Sequence, residues 1–533
     1  DVNTSTGGDG DEAIFGAMDE ELRRNMVGLS LPGEAKPYYL SYVLTRYRQW
    51  QIAGSLGGIF YSTVTPWQSS GGVQVMLGNY QHNSDIQYMG QVAPVQLPAE
   101  LDGYNIRRGF WETSDLMYRF SLQVMARKIA HLKSNPLPPA EAAVPDMQQL
   151  PAVTKMVERP RPFEVDLAAL EGMVKELSAL FKDYKELFNS NVMLVAVEQD
   201  NFRLTSENVR LKFPLGLVGL TVSASVRTTD GSTVSDVLAI SSLDNPADLP
   251  SIEELKKKVK DFADNLMELK ETPMIEEYYT GPVLFEGGAA SRLFTDNLLS
   301  PGRLLALRTM APARGMLDEQ LGRRIIDSRL TVKNYTTLAE YNGTPLFGCY
   351  EIDGDGVVPA AELTLVENGV FKRMLNGRVP TLKAPESTGS ARFMISPDNP
   401  VAIVSPGTIH VQTSKSVAPE KLKKALLKAA KEADLEYAYI VRRIGGEASA
   451  VYKVNVKDGK EIRVRVNNLS APELTKLMDL KGISSDERVM HYFPNGVPAS
   501  LIYPSAIIVG DVEINRTTPK IEEEPVLKHP LQR

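Results

Sequence analysis

Residues 279–300 read YTGPVLFEGGAASRLFTDNLLS, and no other stretch constrains the fold of this chain as tightly. Val283, Leu284 and Phe285 form a short β-prone run, Gly287-Gly288 interrupt it, and Ala289 to Leu299 suit a helix. The expected local structure is a strand, a tight turn and a helix.

The 533 residues suffice for two to four domains and a sizeable core. With 43% hydrophobic and 23% charged residues and a net charge of −7, the composition is that of a globular protein without the basic excess of a nucleic-acid binder. No apolar run reaches the eighteen or so residues of a membrane-spanning helix. The lone Cys349 excludes an internal disulfide and reads as a small buried residue. The polar opening DVNTSTGGDGDE suits a mature exported protein or a trimmed chain.

In the N-terminal half, Ile14, Phe15, Met18, Leu22 and Met26 recur at helical intervals and predict an amphipathic helix over 12–29. A β-meander follows from Pro37, with Gly54, Gly57 and Gly58 as breaks. Leu116, Phe120, Val124 and Ile129 mark a helix over 113–133. Seven prolines from Pro136 to Pro162 then exclude regular helix, leaving a linker or an arm over 134–162. A further helix carries Leu167, Leu170, Val174, Leu177, Phe181 and Tyr184, and β-prone segments occupy 191–231. Ser251 and Glu254 fit a capping box ahead of Ile252, Leu255, Val259, Phe262, Leu266 and Leu269, whose lysines form a solvated face.

In the C-terminal half, Gly343 to Leu375 alternates glycine turns with strands, including an Asn368-Gly369 turn. Glu351, Asp353, Asp355, Gly356 and Glu362 mimic calcium-loop positions, but the flanks are not helical, so they read as a solvated turn with incidental acids. Leu422, Leu426, Ala429 and Ala433 predict a helix over 416–433. The pair VYKVNVKDGKEIRVRV turns at Asp458-Gly459 as a hairpin, with Lys453, Lys457, Arg463 and Arg465 on its wet face. His82, His131, His410, His491 and His529 have no neighbours of their own kind. The serine-nucleophile elbow is absent, and the dinucleotide and ATP phosphate-loop fingerprints lack a strand-helix context.

The segment 279–300, the Gly343–Arg392 region with Glu367-Asn368-Gly369 and Thr388-Gly389-Ser390-Ala391-Arg392, and the closing GVPASLIYPSAIIVGDVEIN together resemble the TldD/PmbA family, the modulator of DNA gyrase or TldD/TldE peptidases. Catalytic relatives carry HExxxH on a helix after a similar glycine approach, and two histidines with a distant cysteine bind zinc. The corresponding residues here are Thr295 to Ser300, and neither histidine is present. Hydroxyls are poor zinc ligands, which leaves Asp296 as the only ordinary ligand type. His491 falls near the position of the distant cysteine.

The resemblance therefore implies a TldE-like, non-catalytic subunit with no cofactor of its own, zinc residing in a TldD-type partner. It implies peptide as ligand and a homodimer or a TldD-type heterodimer, while the composition implies no nucleic-acid partner. The cleft candidates are Glu286, Arg292, Thr295, Asp296, Ser300, Arg392 and His491. Two alternatives stay open: a peptidase or amidohydrolase with a relocated site using Asp296, Glu286 or His491, and an exported scaffold or peptide-binding protein. Gly78-Asn79-Tyr80 after the PYY opening resembles exported relatives and places the chain in a bacterial periplasm, with the cytoplasm as alternative. The expected fold is α+β in two domains, a mixed region over 1–274 with helices and a β-meander and a β-rich domain over 275–533.

Overall fold

The computed structural model describes residues 8–88, 90–310, 315–396, 401–523, 527 and 530. The architecture is α+β. Its N-terminal part is built on two very long strands, β1 (Pro37–Ser55) and β2 (Gly58–Leu77), joined at Leu56-Gly57, both of which have positive φ. They belong to one seven-stranded sheet with β3 (Ala93–Gln96), β4 (Val153–Met156), β5 (Leu187–Thr205), β6 (Val209–Arg227) and β7 (Thr233–Ser242). The order is β3-β2-β1-β5-β6-β4, with β7 also on β6, and every pairing is antiparallel except β4 with β6.

Side chains alternate along β1, so Leu40, Tyr42, Leu44, Trp50 and Ile52 share one buried face. Near one end that face packs with helices α1 (Gly8–Gly28) and α2 (Gly103–Ser134). A four-residue helix α3 (Pro139–Ala142) follows, and helices α4 (Leu167–Ala179) and α5 (Ile252–Glu271) cover the other end of the face. The capping box is formed: Glu254 N–H donates to Ser251 Oγ at 3.3 Å, and Ser251 N–H donates to Glu254 Oε2 at 3.0 Å.

The structure extends α2 ten residues beyond the expected start, to an Asp102 N-cap that accepts from Asn105 N–H at 2.7 Å. It also turns the helix over. Ile106, Phe110, Met117 and Val124 are buried, whereas Leu116, Phe120 and Ile129 are exposed.

The proline-rich segment is laid across the protein. Its β4 pairs with β6, the Val144 and Pro145 carbonyls accept from Arg308, and the Gln148 carbonyl accepts from Arg378. The Pro162 and Phe163 carbonyls accept from Asn245 and Arg48.

The C-terminal part begins with strand β8 (Tyr279–Glu286) and helix α6 (Gly288–Leu298), the strand, turn and helix read from the sequence. Strand β9 (Leu330–Tyr335), the hairpin β10 (Glu340–Tyr341) with β11 (Thr344–Pro345), and β12 (Glu362–Glu367) with β13 (Val370–Phe371) come next. They precede the pair β14 (Ala391–Phe393) and β15 (Ala402–Val404), then β16 (Thr408–Thr413), helix α7 (Pro419–Glu432), β17 (Tyr437–Arg443), β18 (Ala450–Asn455) and β19 (Glu461–Val464). The chain closes through β20 (Leu480–Ile483), β21 (Glu487–Tyr492), β22 (Ala499–Pro504) and β23 (Ala506–Ile514).

Two six-stranded sheets result, ordered β13-β12-β9-β16-β22-β21 and β19-β18-β17-β8-β23-β20. Ala289, Ala290, Leu293 and Phe294 of α6 share one core with Val332, Ile409 and Leu501 of the first sheet and Phe285, Val441 and Val509 of the second. Helix α7 covers the opposite face of the second sheet through Leu422 and Leu426 against Leu284, Ile440 and Ile508. The Asp458-Gly459 hairpin is present as β18–β19. Its basic residues depart from expectation, since Arg463 and Arg465 are buried, donating to Glu268 and Asn265 and to Asp230 and the Thr272 carbonyl. Cys349 is exposed rather than buried.

Candidate functional site

Gly287 makes the β8–α6 junction possible. Its φ of 55° with ψ of −128° is a conformation essentially restricted to glycine, and its N–H donates to the Ser505 carbonyl at 2.7 Å. The inward face of α6 is fixed by packing and by Asn297, whose Nδ2 donates to the Leu293 and Pro472 carbonyls at 3.0 and 2.8 Å. Ser291 Oγ lies 3.2 Å from Met490 Sδ, which ties α6 to β21.

Three candidates meet on the outward face. Arg292 Nε donates to both carboxylate oxygens of Asp296 at 2.9 Å, and Thr295 Oγ1 donates to Asp296 Oδ1 at 3.1 Å. The other four lie in separate networks. Glu286 accepts from Arg442 Nε at 2.9 Å. Ser300 is half-buried just past α6, and its carbonyl accepts from Arg303 N–H at 3.1 Å.

Arg392 is buried; its Nη1 donates to the Pro406 and Pro498 carbonyls, both at 2.6 Å, and its guanidinium lies over the Tyr350 ring. His491 Nδ1 sits 2.9 Å from Ser500 Oγ while its ring stacks on Phe347 at 3.9 Å, and burial holds its pKa below the usual histidine value. Of the other histidines, His410 pairs with Glu487 at 2.9 Å, His82 and His131 are exposed, and His529 lies outside the described residues.

A zinc ion does not fit these residues. The Thr295 hydroxyl points its proton at Asp296, and a guanidinium already neutralises both oxygens of the one ordinary ligand. Among the described residues no three His, Cys, Asp or Glu side chains are grouped as a metal site requires.

A cavity of about 260 Å³ opens beyond the end of α6, between the second face of the N-terminal sheet and the C-terminal loops. Ser41, Val43 and Met76 line it from β1 and β2, with Pro301, Leu305 and Phe393 opposite. At its wall Arg203 of β5 donates from Nη1 to the Gly354 carbonyl at 2.6 Å and lies 3.2 Å from Asp355 Oδ1. Tyr39 Oη accepts from Arg203 at 3.5 Å and from Arg378 at 3.0 Å, and Arg378 also donates to Glu207 Oε1 at 2.8 Å.

Asp353 accepts from the Asp355 and Val357 N–H groups at 2.9 and 2.8 Å and from Ala391 N–H at 3.0 Å. Burial and the adjacent Asp355 carboxylate nevertheless push its pKa up to about 7. The Asp353-Gly354-Asp355-Gly356 turn is thus not solvated, as its composition suggests, but buried at the contact between the two halves. Sequence reading singled out its acids and missed Arg203, Tyr39 and Arg378, whose only local signal is an arginine or tyrosine placed inside a strand or loop.

A strand, glycine and helix held between two mixed sheets, beside a long-stranded, mostly antiparallel sheet, define the class of α+β fold. Residues 279–515 match the family model for the PmbA/TldA metallopeptidase C-terminal domain. TldE from Thermococcus kodakarensis has the same fold, with a TM-score of 0.58 at 15% identity over 93% of this chain and 99% of that one. A protein from Thermotoga maritima described as a modulator of DNA gyrase gives 0.54 at 14% identity, over 93% and 100% of the two chains. One from Bacteroides thetaiotaomicron with the same description gives 0.53 at 12%, over 95% and 100%. No curated protein matches the sequence. By sequence, residues 279–515 are similar to the PmbA/TldA metallopeptidase C-terminal domain, and the fold of nearly the whole chain is that of TldE and the two gyrase-modulator structures.

Proposed function

We propose that this chain is a non-catalytic, TldE-like subunit in proteolysis or peptide processing, binding peptide while a TldD-type partner chain supplies the zinc chemistry. The observation that carries this reading is the Arg292–Asp296 pair, which sits on α6 where the family resemblance places the metal-binding motif. Both Asp296 oxygens are engaged by the guanidinium at the surface of α6, and among the described residues no His, Cys or second acid is grouped with them to complete a metal site. Dimer formation and an exported, periplasmic location belong to the same proposal. No described helix is long and apolar enough to cross a membrane.

The test assays the purified chain, alone and mixed with a TldD-type zinc peptidase, on a pool of unstructured peptides read by mass spectrometry. The chain alone leaves the pool intact, and its addition changes the rate or pattern of cleavage by the partner. Zinc-dependent cleavage by the chain alone, abolished by Asp296→Ala, would make it a peptidase in its own right and overturn the proposal.

A further inference from the structure

We infer that the cavity beyond α6 is a side-chain pocket that selects one large uncharged apolar residue, aromatic or branched aliphatic, of an extended peptide. The inference rests on the reading of the chain as a peptide binder and names what the peptide must present.

Size is the first argument. A dry cavity of about 150 Å³ already accommodates a benzene ring, and about 260 Å³ leaves room for a ring with the backbone that carries it. It remains below the roughly 300–1,000 Å³ of clefts that enclose drug-sized ligands, so a single side chain is the fitting occupant. Chemistry is the second. Val43 and Met76 on one side and Leu305, Phe393 and Ile403 on the other make a mainly aliphatic wall drawn from both halves of the chain.

Most charges at the wall are paired, and the buried Asp85 carboxylate is held by the Gln87 and Gly90 N–H groups at 3.0 and 2.7 Å. Arg203 faces Asp355 at 3.2 Å, Arg378 holds Glu207 at 2.8 Å, and Asp146 is shared by Lys128 at 2.6 Å and Arg308 at 3.3 Å. A charged guest would lose its own hydration beside groups that already have partners, which is strongly unfavourable, whereas an apolar guest gains by leaving water. Gly377 contributes to the shape: a Cβ there would come within 3.3 Å of Ala391 Cβ and 3.7 Å of Asp355 Oδ2, crowding the wall.

The test measures fluorescence anisotropy of fluorescein-labelled Gly/Ser heptapeptides whose central residue is Phe, Leu, Ala or Asp, titrated with the full chain. Burying a large apolar side chain predicts that Phe and Leu peptides bind about tenfold or more tighter than Ala and Asp peptides. Val379 lines the cavity from a half-buried loop position, and Val379→Trp fills the space. In that variant the Phe peptide falls to within about twofold of the Ala peptide. Should Val379→Trp fail to fold, Val379→Ala carries the test by enlarging the pocket and shifting preference from Phe towards Trp.

Equal binding of Phe and Ala peptides, or a preference untouched by both variants, would overturn the pocket while peptide binding itself stood. Failure of every peptide to bind would remove the pocket and the peptide-binding reading together.

Discussion

Arg203 and Asp355 face each other at 3.2 Å across the contact between the N-terminal sheet and the C-terminal loops, each with about 7% of its side chain exposed. Arg203 also donates to the carbonyl of the intervening Gly354. The two halves are therefore joined by a charge pair that water cannot reach to relieve.

Removing one partner strands the other. Arg203→Ala or Asp355→Ala is expected to cost about 3–5 kcal/mol in urea denaturation. The double variant Arg203→Met/Asp355→Leu loses clearly less than the sum, because neither charge is left alone. Additive losses would mean that the pair is not coupled.

Asp353 sets a pH dependence whose sign follows from its raised pKa. Between the ordinary aspartate value of 3.8 and about 7, the folded chain holds a proton that the unfolded chain has released. Its contribution to stability is fully present below 3.8 and is lost as pH rises through 7, with a slope of up to about 1.4 kcal/mol per pH unit. Asp353→Asn keeps a carbonyl acceptor for the Asp355 and Val357 N–H groups, so its stability curve should be flatter than wild type over this window. Chemical denaturation at pH 4 to 8 measures the difference.

Gly287→Ala places a side chain in a backbone conformation that only glycine holds easily, with its Cβ 3.1 Å from Arg488 Nη1. The expected loss is about 1–3 kcal/mol. Gly172→Ala, within α4 and with open space around the new Cβ, is expected to be neutral or slightly stabilising.

Zinc offered in equimolar amount and followed by desalting is expected to leave less than about a tenth of an equivalent by mass spectrometry, since structural and catalytic sites bind far more tightly. Near one equivalent, lost on changing Asp296 or His491, would contradict the reading of α6 as lacking a zinc site.

Features with a local cause were legible from sequence. The glycine break before α6, the Ser251–Glu254 box and the Asp458-Gly459 turn each depend on residues within a few positions of one another. Helix α2 was legible as a helix but not in its orientation. Ile106 and Phe110 begin its buried stripe, while exposed Tyr104 and Trp111 and an outward Leu116, Phe120 and Ile129 offer a competing apolar pattern.

Buried charge was not legible at all. Arg203 meets Gly354 at a separation of 151 residues and Arg465 meets Asp230 at 235, and nothing within a short window announces either partner. For the same reason, acids in a glycine turn and arginines on a hairpin read as solvent-facing. The seven candidate residues were identified singly, and only Arg292, Thr295 and Asp296 share a local helical spacing that brings them into contact.

The proline-rich arm has a consequence for where arginines can be placed. Proline contributes a carbonyl but no N–H, so a segment dense in proline offers acceptors with few donors of its own that need acceptors in return. Val144, Pro145 and Gln148 give their carbonyls to Arg308 and Arg378, and Pro162 and Phe163 give theirs to Asn245 and Arg48. The arm behaves as a covalent solvation shell, standing in for the water that guanidinium groups surrender when they move inside.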